Sequence, residues 1–210
     1  MKTYTLVLLA IWTSSRLFAQ GTVNFLNNPS SLVSVQNIPG GQPYLLPALG
    51  SSYLSPFYFG LFTAPAGSTS GADFTFSGVY ATNTTVAGRF DGGSGVTVPG
   101  WMPGTAMSYE IVGWNGQPTW NQSWVTDPNK GSPLAFGISG IGTGVAGGNV
   151  PTGTLAPLDL FGGTTGIQGG FTLFTTFVSV PEPSSTSLIC IGATALLFNY
   201  QRGRNRRLAR

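Results

Sequence analysis

Between residues 20 and 180 no segment sustains three turns of an apolar stripe at helical spacing. The apolar residues come instead in short runs that alternate with polar ones or stay apolar throughout, and Gly, Pro and Asn break them at close intervals. Side chains of an extended chain alternate between two faces, so period-two runs bounded by turn residues predict strands. They fall at 22–26, 32–36, 57–62, 73–80, 85–90, 106–114, 134–138 and 170–178. In the third, Phe57, Phe59 and Leu61 share a face; in the sixth, Tyr109, Ile111 and Gly113 oppose Glu110, Val112 and Trp114. The last run is apolar on both faces and therefore belongs inside a sheet. Eight strands with turns about every dozen residues predict an all-β body built as an antiparallel β-sandwich, jelly-roll-like or immunoglobulin-like. No internal repeat is found, and the most linker-like stretch, 64–71, marks no domain boundary.

Composition narrows the chemistry. Charged residues are 7% of the chain, against roughly 25% in an average soluble domain, while aromatics reach 12%. That is too aromatic for a disordered polymer. The absence of histidine removes the commonest general base and metal ligand. A lone cysteine, Cys190, supports neither a disulfide framework nor a cysteine zinc site. The net charge of +3 is terminal in origin. The body has Arg89 and Lys130 against Asp73, Asp91, Glu110, Asp127 and Asp159, which offers no basic face for nucleic acid.

Three motifs are better read as structure. Gly142-Thr143-Gly144-Val145-Ala146-Gly147 spells a dinucleotide fingerprint, but Gly148-Asn149-Val150-Pro151 cannot start the helix a pyrophosphate needs, so it reads as a glycine-rich loop. Asp127-Pro128-Asn129-Lys130-Gly131 has the first spacing of a calcium loop without its closing glutamate, and a type I turn accounts for it. Asp91-Gly92-Gly93 likewise reads as a turn. A paired-carboxylate hydrolase is the enzymatic alternative, yet nothing in the sequence links Glu110 to a second carboxylate, and no Gly-x-Ser-x-Gly elbow is present. The expectation is a non-enzyme with no catalytic residue, cofactor or metal.

Trp101, Trp114, Trp120 and Trp124 fall within 24 positions, interleaved with Asn115, Gln117, Asn121 and Gln122. Indole faces beside amides suit stacking on sugar rings. The plainer reading is core and hairpin packing, since Trp114 precedes the turn signal Asn115-Gly116.

The two ends read as addresses. Lys2, the apolar run Leu6 to Trp12 and the small Ala19 before Gln20 have the grammar of a secretory signal peptide cleaved between Ala19 and Gln20. At the other end Val180-Pro181-Glu182-Pro183 precedes an apolar stretch at 186–200, then Arg202, Arg204, Arg206, Arg207 and Arg210. As a helix that stretch is about 22 Å long at roughly 1.5 Å per residue, short for a bilayer core of about 30 Å. The arginines orient it with the tail inside. Cys190, within the stretch, reads as a small apolar residue.

This tripartite end resembles the PEP-CTERM sorting signal of exported Gram-negative proteins. The resemblance covers about one seventh of the chain, and its helix here is shorter than usual. It implies recognition by an exosortase, a membrane-embedded processing enzyme acting near Pro181-Glu182-Pro183. It also implies transient inner-membrane anchoring and delivery to the cell surface in envelopes associated with extracellular polysaccharide. The expected organisation is a signal peptide at 1–19, a β-rich exported body at 20–179 and a sorting segment at 180–210. The expected role is a non-enzymatic envelope or extracellular-matrix protein. A carbohydrate-binding or glycan-active surface protein is the alternative, with extracellular polysaccharide as its partner.

Overall fold

The computed structural model describes residues 20–37, 41–51, 56–121 and 135–175. Within them the protein is all-β, and its only helical piece is a 3-10 turn at Gly71–Asp73. The strands are β1 Gly21–Asn24, β2 Ser34–Gln36, β3 Tyr44–Leu45, β4 Phe57–Pro65, β5 Thr75–Asn83, β6 Phe90–Asp91 and β7 Val96–Val98. They continue with β8 Ala106–Asn115, β9 Ala135–Ile138, β10 Gly142–Val145, β11 Gly148–Val150, β12 Gly153–Leu155, β13 Leu158–Asp159 and β14 Thr172–Thr175. The main sheet runs β3-β2-β14-β9-β8-β4-β5-β6, and β10 continues along β8 where β9 stops. A small sheet has the order β13-β1-β7, and β11 and β12 form a separate pair.

The longest strands, β4 and β8, pair without a break from Phe57↔Asn115 to Pro65↔Met107. Because β4 is apolar at nearly every position, both of its faces are covered. Phe57, Phe59 and Leu61 enter the larger core, whereas Phe62 and Ala64 enter a second cluster on the opposite face with Trp114. The larger core joins residues of both sheets: Val23 and Val98 of the small one, and Phe59, Tyr109, Ile111 and Leu173 of the main one. Phe59 and Phe90 stack at 4.3 Å between ring centroids, and the edge of Phe25 meets Phe90 at 5.7 Å. Each such side chain contributes roughly 1.5–3 kcal/mol by leaving water, which is how the body forms a core without disulfides.

Buried polar groups lock the ends of the strands. Asn27 is fully buried; its amide donates to the carbonyls of Ser31 and Gly88, and its oxygen accepts from the Phe90 amide and the Arg89 Nε. Asn83 accepts from the Phe57 amide and donates to the Pro47 carbonyl. Tyr109 donates its hydroxyl to the Leu160 carbonyl at 3.0 Å.

Several sequence expectations need correction. Most pairings are antiparallel, but β2 runs parallel to β14 and β1 parallel to β13. Parallel neighbours need a long crossover, and here more than a hundred residues intervene, so turn-by-turn reading misses them. Residues 85–89 are not strand but a turn, closed by the Thr84 amide on the Arg89 carbonyl and by Gly88 at a φ of 77°. The fingerprint Gly142–Gly147 is not a loop: β10 pairs with β8, and Gly147 bridges Thr22. Its glycines are there for close packing. A Cβ on Gly142 would strike the Tyr109 ring, one on Gly144 the Leu158 side chain, and one on Gly147 the Ala156 carbonyl.

Candidate functional site

Directly opposed residues of neighbouring strands share a sheet face. Four aromatics lie in one line of register on the outer face of the main sheet. Phe174 of β14 opposes Phe136 of β9, Phe136 opposes Trp114 of β8, and Trp114 opposes Tyr58 of β4. The line continues to Gln36 on β2 at one end and Thr82 on β5 at the other. Tyr80, two residues from Thr82, presents its ring edge to Tyr58 at 6.2 Å. Tyr58 and Trp114 stack at 6.1 Å. Gly60 makes room for this arrangement, since a Cβ there would press on Trp114 and Phe76 ring atoms at 3.0 Å.

The predicted tryptophans do not form one row. Trp101 is buried in the larger core, its indole N–H bonded to the Thr105 carbonyl and its ring 5.9 Å from Tyr109. Trp114 is buried in the second cluster, its N–H bonded to the Gln117 carbonyl. Neither indole has an open face for a sugar. Trp120 is half-buried over Trp114, with contacts to Phe62 at 4.9 Å and Phe136 at 6.3 Å. Trp124 lies outside the described residues. The exposed aromatics of this face are instead Tyr80 at 48% and Phe174 at 55%, with Tyr58 and Phe136 half-buried. The sequence does show an aromatic at alternate positions of these strands, but not that five strands bring them into line.

Glu110 sits on the same face, 6% exposed and opposite Phe62. It marks the point where β8 changes partner from β10 to β9, with Ser139 bridging the gap to Ile111. No hydrogen bond or ion pair from a described residue reaches its carboxyl. Burial pushes that carboxyl up to about 7, so it is largely neutral in mildly acidic solution.

Two shallow clefts flank Leu26. One, of about 290 Å³, is lined by Asn24, Asn28, Ser94, Asp159 and Phe161; the other, of about 280 Å³, by Thr84, Val86, Arg89, Phe90 and Asp91. Asn24 donates to Asp159 at 2.7 Å and accepts from the Gly95 amide, while the Gly93 amide bonds to Asp91, the turn the sequence predicts. Burial first, then the Asp159 carboxylate, push the Tyr109 phenol well above its ordinary range. Among the described residues no group of three or more metal-ligating side chains comes together. Asp73 lies in the 3-10 turn, remote in sequence from the other carboxylates.

Of the sorting residues, Gln20 is exposed one position before β1. Ala19, Val180, Pro181, Glu182, Pro183, the apolar stretch at 186–200 and the five terminal arginines lie outside the described residues, as does Asp127. Among the described residues no helix is long and apolar enough to cross a membrane. Neither a family model, nor a curated protein, nor a solved structure matches this chain.

Proposed function

We propose that this chain is an exported, non-enzymatic cell-envelope or extracellular-matrix protein, delivered by a PEP-CTERM type of sorting signal and processed by an exosortase. The observation that carries the reading is the order within the last thirty residues: Pro181-Glu182-Pro183, the apolar stretch at 186–200, then five arginines. Two features of the body agree with it. The described strands begin at Gly21, immediately after the proposed cleavage point, and end at Thr175, before Val180. Cutting at either place therefore breaks no strand pairing described for the body. Pro181 and Pro183 oppose upstream extension of a helix, leaving an extended substrate for a protease. The architecture we propose is a β-sandwich in which the small sheet covers the inner face of the main one, supported by the buried cluster they share.

The test is fractionation in a host that carries an exosortase, comparing the wild type with Glu182→Ala and with deletion of residues 202–210. The wild type is expected to be processed and delivered to the surface, and both variants to accumulate unprocessed in the inner membrane. Normal processing of both variants overturns the proposal. The alternative, a carbohydrate-binding surface protein, draws support from the aromatic line on the outer face, to which the buried Trp101 contributes nothing.

A further inference from the structure

We infer that the outer face of the main sheet binds a neutral, extended polysaccharide laid across the strands, its sugar rings stacking on Phe174, Phe136, Tyr58 and Tyr80. Strands lie about 4.8 Å apart, so the line from Phe174 on β14 to Tyr58 on β4 covers about 14 Å and Tyr80 on β5 lengthens it. That is a track for several consecutive units of a chain rather than a pocket for one. The registers are directly opposed at each step, which makes the track straight and suits an extended β-linked polymer better than a curved α-linked one.

Large apolar residues left in water on one face mark an interaction surface, and the character of this one selects its ligand. The line holds no charge: its flanking positions are Gln36 and Thr82, an amide and a hydroxyl. The one carboxyl on the face, Glu110, is buried. Among the described residues the only cation is Arg89, which is bonded to Asn27 beside β6. A polyanion, whether nucleic acid or acidic polysaccharide, finds no counter-charge here. A neutral sugar needs none, because its C–H faces dock on aromatic rings and its hydroxyls bond to neutral polar groups. The site belongs to the body alone, so failure of the sorting experiment leaves it untouched.

The experiment titrates the full chain with cellohexaose, cellobiose and maltohexaose by calorimetry, with an acidic polysaccharide as a fourth probe. Saturable binding of cellohexaose is expected, at least tenfold tighter than cellobiose. Removal of one stacking ring in Tyr80→Ala or Phe174→Ala is expected to weaken it about three- to tenfold. Both rings are about half exposed, so the variants should keep the wild-type unfolding midpoint. Tyr80→Phe retains the ring and should retain the affinity, and Val86→Ala, exposed at 60% beside a cleft, should change nothing. Absence of binding, tighter binding of maltohexaose, binding of the acidic polymer alone, or alanine variants that bind like wild type each overturn the inference. So does a wild-type dimer that Tyr80→Ala and Phe174→Ala convert to monomer, since the face would then be a contact between copies.

Discussion

Replacing Glu110 by glutamine should change how stability depends on pH. In the unfolded chain the Glu110 carboxyl titrates near 4.5, and in the folded protein near 7. Between those values the native state holds a proton that the unfolded state releases, so stability falls as pH rises from about 4.5 to 7 and levels off above. A displacement of that size corresponds to about 3 kcal/mol at roughly 1.4 kcal/mol per pH unit. The physical cause is a charge forced onto the apolar face between Phe62 and Val112 with no described donor to meet it. The chain has no histidine, so no side chain of ordinary pKa titrates within this window. Urea unfolding at pH 5 and pH 7.5 should show the wild type losing about 3 kcal/mol across the interval. Glu110→Gln should be nearly flat, so that its advantage over the wild type is greater at pH 7.5 than at pH 5. Equal pH dependence in the two proteins would refute the reasoning, whatever their absolute stabilities.

Asn27→Ala removes the four hydrogen bonds that tie the chain after β1 to the turn before β6, and should cost about 3 kcal/mol in the same assay. Tyr109→Phe leaves the buried Leu160 carbonyl without its donor and should cost about 1 kcal/mol, measured by the shift in thermal midpoint. Gly137→Ala places a Cβ against the Thr172 carbonyl between β9 and β14 and should destabilise by about 1–3 kcal/mol, whereas Gly140→Ala, with open space around it, should stay within about 0.5 kcal/mol.

The all-β class was legible because alternation is a local property: the side chains of a strand at 57–62 or 106–114 announce two faces without any partner. Absence of a helical stripe in the body is equally local, and the structure shows one 3-10 turn in its place. The sorting segments at the two ends are likewise carried by sequence order alone. The strands that sequence reading missed, β3, β7 and β10 to β13, are two to four residues long, and β10 and β11 are rich in glycine. Such segments become strands only because a neighbour supplies hydrogen-bond partners. Pairing of β1 with β13 and β2 with β14 joins residues more than a hundred positions apart, which no turn signal encodes. The candidate surface shows the same division. Sequence reading placed its tryptophans by their spacing along the chain, but a sheet face is assembled across strands. Register therefore put Trp114 under Trp120, sank Trp101 into the core, and brought Tyr58, Phe136 and Phe174 into line. A sequence determines which residues can share a face within one strand; only the packed sheet decides which strands lie side by side.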